Sequence, residues 1–215
     1  MEATTPPEPP PPPPPPTGEP AGAPPPAELY PVRMSAERQS EYNRWLPLVK
    51  WLLAIPHYLV LLVLGIGAFF AIIIGFFAVL VTARYPDGLW TYITGVHRWA
   101  MRVTGYVLLL TDEYPPFSLE VDPAYPVRLE YDYPDYVDRW RPLVHWLLII
   151  PYAFVAGVLM SLAQIVAFIG VFVILFTKDL PEGMFTLILN PMRWQARANA
   201  YGGWLVTKYP PFEWE

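Results

Sequence analysis

Ionisable side chains set inside apolar sequence are where this chain could do chemistry. Lys50 and His57 are the only basic groups in a long apolar block that begins at Trp45, and His145 is the only one in a second such block. Ionisable groups at membrane depth are costly and often mark sites of binding or relay. Lys50 and His57 are about two helical turns apart, so both can face one side of a helix and meet a proton, an anion or a lipid phosphate. The plainer reading has Lys50 snorkelling to the interface and His57 neutral, packed and capped by a carbonyl. Haem ligation by His57 and His145 is conceivable on paper, but the two do not occupy equivalent positions.

A second constellation is the pair Arg98 and Arg102, with its counterpart Arg193 and Arg197, each spaced i, i+4. Guanidinium forks match phosphate, so two per helix could grip lipid headgroups. The alternative is structural ion pairing with carboxylates such as Glu120 or Asp112. Asp132, Asp135 and Asp138 have spacing that suits a cation, but the interleaved tyrosines and Pro134 favour a solvated loop. No phosphate-binding glycine loop, His-Glu-x-x-His element or nucleophile elbow is present, and Ser35, Ser40, Ser118 and Ser161 stand in no nucleophile motif. The chain has no cysteine, which excludes disulfides, thiol catalysis and thiolate metal sites. No cofactor, metal site or catalytic residue is expected. The net charge of −5 and the lack of a basic stretch argue against nucleic acid.

These residues are positioned by a duplication. The second half of the chain repeats the first at an offset of about 95 residues. Tyr30-Pro31-Val32-Arg33 returns as Tyr125-Pro126-Val127-Arg128, and Tyr114-Pro115-Pro116-Phe117 as Tyr209-Pro210-Pro211-Phe212. The chain divides into a tail (1–28), a first repeat (30–120) and a second (125–215). The tail holds an unbroken run from Pro9 to Pro16. It lacks the apolar content to offset ordering entropy, so it reads as a disordered spacer or as a ligand for a proline-binding partner. It also lacks the basic and apolar regions of a cleaved signal peptide, so the first membrane helix is expected to act as an uncleaved signal.

With 54% hydrophobic residues and two long apolar blocks, the chain reads as a mainly α integral membrane protein. A single helix from Trp45 to Ala83 would reach nearly 60 Å, about twice the hydrocarbon thickness. Two readings follow: one long span with an interfacial first part, or a hairpin bent at Gly65-Ile66-Gly67 and, in repeat two, around Ser161 to Gln164. All 14 Lys and Arg lie outside the central apolar segments. Hairpins put every one of them on the same side, which satisfies the positive-inside rule. The preferred expectation is therefore two hairpins, four spans and both termini in the cytoplasm. After each Pro-[Asp/Glu]-Gly turn an amphipathic helix should lie in the membrane interface. In repeat one its seam is Leu89, Ile93, Val96, Ala100, Val103, Val107 and Leu110. In repeat two Pro191 should interrupt the helix, which restarts after Asn190. Four short strands, around 30–36, 117–121, 125–131 and 212–214, should form one small extramembrane sheet.

The first copy carries Arg44-Trp45-Leu46-Pro47-Leu48-Val49-Lys50-Trp51 and Ile55-Pro56-His57. It continues with Thr82-Ala83-Arg84-Tyr85-Pro86-Asp87-Gly88, Arg98-Trp99-Ala100-Met101-Arg102-Val103 and Leu110-Thr111-Asp112-Glu113-Tyr114-Pro115-Pro116-Phe117. Together these resemble a bacterial, mainly actinobacterial, membrane-protein family called domain of unknown function 4389, whose pattern at the third motif reads Thr-Gly-Arg-Tyr-Pro-x-Gly. The second copy departs from the pattern: His145 replaces the lysine, Tyr152 the histidine, and Lys178-Asp179-Leu180 the Ala-Arg-Tyr run. The resemblance implies a membrane fold in two copies and carries over no catalytic residue. The function expected is a non-enzymatic accessory, scaffold or lipid-contacting role, with membrane lipids and a membrane protein complex as partners. The alternatives are a small transporter or channel with its path between the repeats, and an enzyme acting on lipid.

Overall fold

The computed structural model describes residues 30–214; the proline tail and the readings placed on it lie outside the described residues. The elements are β1 (Val32–Ala36), α1 (Leu46–Leu53), α2 (Ile55–Thr82), α3 (Asp87–Val107), β2 (Val127–Tyr131), α4 (Arg141–Thr177) and α5 (Glu182–Gly202).

Each apolar block is one rod and not a hairpin. α1 and α2 together run Leu46–Thr82, 37 residues, and α4 has the same length. At 1.5 Å per residue each rod is about 55 Å long. The expected bends at Gly65-Ile66-Gly67 and around Ser161 to Gln164 do not form, and the four-span topology falls with them. A bend would leave backbone N–H and C=O groups unpaired in apolar surroundings, whereas glycine inside a helix keeps every bond. Rod one has a joint at Ala54, where Pro56 opens α2. Bonds from the Ala54 amide to the Lys50 carbonyl (2.9 Å) and from the Tyr58 amide to the Ala54 carbonyl (3.0 Å) bridge it. α4 carries the equivalent Pro151 within one continuous helix.

From each rod the chain turns back, so that α3 packs along α2 and α5 along α4. The buried stripe of rod one is Lys50, Ala54, His57, Ala68, Ala71, Gly75 and Val79, a seam at helical spacing. Glycine is required where α3 and the turn before it come closest: a Cβ at Gly75 would lie 2.5 Å from the Tyr85 hydroxyl, and one at Gly67 2.5 Å from that of Tyr92. The seam expected of α3 does turn inward, with Ile93, Val96 and Val103 buried. The helix is not laid out on a surface, however. α2, α5 and β2 all pack against it, so α3 is a middle layer between rod and sheet. α5 continues through Pro191, which is buried within it, so the expected restart after Asn190 is also replaced. An interior proline gives up its own N–H bond and crowds the carbonyl four residues back, a cost that packing around the buried ring offsets.

The sheet has two strands, paired antiparallel with Met34 opposite Leu129 at its centre. The other two expected strands do not form, because their aromatic residues are used elsewhere. Phe117 stacks on His57 with centroids 3.9 Å apart, and Phe212 packs edge-on to Tyr152 at 5.0 Å. The strands are exchanged between repeats: β2 packs on α3 and β1 on α5. Tyr30 donates to the Lys208 carbonyl (3.2 Å) and Tyr125 to that of Glu113 (3.0 Å). Val32, Met34, Val127 and Leu129 are buried, while Arg33, Ser35, Arg128 and Glu130 alternate outward. Among the described residues the sheet touches neither rod.

The two rods run antiparallel. The Tyr42 amide, just before rod one, donates to the Lys178 carbonyl at the end of rod two (2.9 Å). The Val137 amide donates to Ala83 at the end of rod one (3.0 Å). Ala83 and Lys178 close their helices in the left-handed conformation, φ 57° and 59°. These paired contacts relate the two modules by an approximate twofold axis through the sheet.

Candidate functional site

Lys50 and His57 do share one face of rod one, and both are covered. Lys50 does not snorkel outward. Its Nζ lies 2.8 Å from Asp112 Oδ1, donates to the Thr111 carbonyl at 2.7 Å and sits 4.8 Å from the centre of the Tyr106 ring. His57 accepts at Nδ1 from the Trp99 indole at 3.1 Å, which places its own proton on Nε2. In repeat two the same framework holds other chemistry. His145 stands at the lysine position, donates from Nδ1 to the Tyr201 carbonyl (3.1 Å) and stacks on the Tyr201 ring at 4.0 Å. Tyr152 stands at the histidine position and stacks on Trp194 at 4.9 Å. The motif thus supplies an aromatic clasp between rod and return helix, whose polar occupant differs between copies.

Two of the four arginines, Arg98 and Arg193, fasten the sheet to the middle layer. Arg98 donates from Nε to the Leu129 carbonyl (3.0 Å) and from Nη1 to that of Leu119 (3.1 Å). Arg102, buried, donates to the Ser118 carbonyl. Arg193 donates from Nε to the Met34 carbonyl (3.0 Å) and from Nη1 to Asn190 (2.8 Å). Arg197, also buried, lies 5.5 Å from the centre of the Tyr30 ring. Arg98 and Arg102 thus reach backbone carbonyls, not Glu120 or Asp112, and Asp112 serves Lys50 instead. Burial, and then the charge of Arg98, lowers the proton affinity of Arg102. Between the two middle helices, Asn199 Nδ2 donates to His97 Nε2 at 3.2 Å, and His97 bonds the Tyr131 hydroxyl through Nδ1. Burial, and then Arg98, pushes the His97 pKa down to about 4, so the ring is neutral at ordinary pH.

Two members of the acidic run, Asp132 and Asp138, are drawn apart into separate ion pairs. Asp132 takes both Nη atoms of Arg33 (2.7 and 2.8 Å), and Asp138 pairs with Arg141 at 2.7 Å. No group of residues suited to a metal ion occurs among the described residues.

What remains unpartnered is surface. Outside the buried stripe, rod one exposes large apolar side chains from Trp45 to Val81, and rod two from Trp140 to Phe176. Val81 is 70% exposed and Phe176 82%. A soluble monomer rarely shows a continuous apolar patch beyond a few hundred Å². Both rods are long and apolar enough to cross a membrane. The sequence shows these blocks and the recurrence of Arg44-Trp45 as Arg139-Trp140, but assigns the pairs no role; both stand exposed at the entry of each rod.

The modules built around these clasps match a known family model, described as Domain of unknown function (DUF4389), over residues 45–118 and again over 139–213. The two matches cover more than half of the chain, which belongs to this family in two tandem copies. Neither the curated proteins nor the solved structures contain a match.

Proposed function

We propose that this chain is an integral membrane protein with a non-catalytic role, an accessory scaffold or lipid-contacting subunit of a membrane assembly. Its partners are membrane lipids and a membrane protein complex, and both its termini face the cytoplasm. The observation that carries this reading is the outer face of the two rods, apolar along its length and free of charge. The polar groups inside the protein support it further, since Lys50, His57, Arg98 and Arg102 bond to their own framework. One core cluster joins residues of both modules, among them Met101, Leu109, Ile188 and Met192, which favours a scaffold over a path between the repeats.

Two measurements test the reading. Alkaline carbonate washing of membranes should leave the chain in the pellet; release into the supernatant would overturn the membrane assignment. Purified protein in vesicles should leave the lipid species unchanged by mass spectrometry. Turnover of a lipid would make the chain an enzyme.

A further inference from the structure

The outer face of the rods fixes more than attachment. Each rod is about 55 Å long, against a hydrocarbon core of about 30 Å. Upright, it would leave roughly 25 Å of apolar surface in water, and fitting it by tilt needs more than 50°, beyond the usual range of transmembrane helices. The sheet sets a second constraint. It is held at the middle of α3 by Arg98 and of α5 by Arg193, away from the rod ends. Its outer face carries Arg33 with Asp132, Arg128 with Glu37, and Glu130, all at least partly exposed. Upright rods would hold these charges near the bilayer centre, where they are most costly.

We infer that the two rods lie along the membrane plane, sunk into the acyl chains of a single leaflet, with the sheet raised into water. The inference rests on the membrane reading above and specifies its geometry. The approximate twofold axis then stands along the membrane normal. Both antiparallel rods take the same depth, and a helix about 10 Å across fits within one leaflet of about 15 Å. Charge complements this placement. Arg44 and Arg139 are exposed at the rod entries beside exposed Trp45 and Trp140. Cation and indole belong at the headgroup level, where anionic phosphates face the arginines.

The chain has no cysteine, so single cysteines can report depth. Leu52, Leu59, Ile66 and Ile73 recur every seven residues on the exposed face of rod one, and all are exposed, so spin labels there disturb no packing. The series covers about 30 Å of helix. In vesicles of phosphatidylcholine and phosphatidylglycerol, saturation against oxygen and a water-soluble nickel chelate should give one common depth for all four. A profile deepest near Ile66 and shallow at both ends would mean crossing and would overturn the inference while leaving the membrane reading intact. Free access of the chelate to all four would remove the membrane reading itself. In sealed vesicles from expressing cells, cysteines at Ser35, Ser40 and Asp87 should all react with an impermeant maleimide from the same side. Opposite sides for Ser40 and Asp87, which flank rod one, would again mean crossing. Arg44→Gln with Arg139→Gln should reduce the gain in binding from phosphatidylglycerol several-fold; an unchanged gain would overturn the headgroup assignment.

Discussion

Replacing Gly65 and Gly75 by alanine, one at a time, separates a straight rod from a bent one. At Gly65 an added Cβ meets nothing within 4 Å, so only helix propensity changes, in favour of alanine by up to about 1 kcal/mol. At Gly75 the same atom would lie 2.5, 2.6 and 2.9 Å from Oη, Cζ and Cε1 of Tyr85. Those are atoms of a rigid ring, and Tyr85 is only 1% exposed, so it has nowhere to swing. Overpacking of this kind costs about 1–3 kcal/mol, which exceeds the propensity gain. The two variants should differ by about 2 kcal/mol, a separation of roughly 4–8 °C in unfolding midpoint for a chain of this size. Gly170, the repeat-two counterpart of Gly75, gives an internal scale. Its nearest contacts are methyl groups of Leu180 and Leu109 at 3.1 and 3.2 Å, which can yield, so Gly170→Ala should fall between the two. Near-ultraviolet circular dichroism during heating in mild detergent reads all three. If Gly65→Ala proves as damaging as Gly75→Ala, a turn exists at Gly65 and the rod is wrong.

Asp112→Ala leaves the buried Lys50 without its counter-charge and should cost about 3–5 kcal/mol, most of it recovered when Lys50→Met is added; chemical denaturation of the two variants decides this. Ala83 holds φ 57° at a place where the family pattern has glycine, so Ala83→Gly should raise stability by about 1 kcal/mol, and a loss would mean that its methyl group packs usefully. Arg98→Gln removes two charge-assisted bonds to carbonyls and should lower stability by about 3 kcal/mol while leaving co-purified anionic lipid unchanged; lipid loss at full stability would return the residue to a headgroup role. His97 has a folded pKa depressed to about 4 from an ordinary 6.5, so the unfolded chain takes up the proton first. Stability should be complete above pH 6.5 and decline by up to about 3 kcal/mol as pH falls toward 4; His97→Asn should flatten that slope in a midpoint-against-pH series.

Much of the fold was legible because it rests on local pattern. The duplication, the two apolar blocks and the seam of α3 follow from residue spacing, and the structure contains each. The hairpins were misread because Gly65 and Gly67 look like turn residues when only the sequence is seen. Gly67 is instead the gap that admits Tyr92, a contact between residues far apart in the chain. The one-sidedness of the basic residues pointed the same way for a reason that does not require hairpins, since an in-plane rod satisfies it equally. The arginines kept their i, i+4 face, but which neighbour covers that face is a tertiary fact. Nothing in a symmetric repeat tells whether Arg98 meets Leu129 or its twin Met34, so strand exchange had no signal.

That exchange also sets an order of events during synthesis. β1 is made well before α5, yet the surface it rests on belongs to α5. Its anchors span the length of the protein: Met34 waits for Arg193, 159 positions later, and Tyr30 for Lys208, 178 positions later. Loop closure over such distances is slow, and an unpaired strand edge invites wrong partners meanwhile. A nascent chain that stalls before α5 therefore cannot cover its own beginning. The opening strand acts as a seal that sets only when translation has reached the last helix.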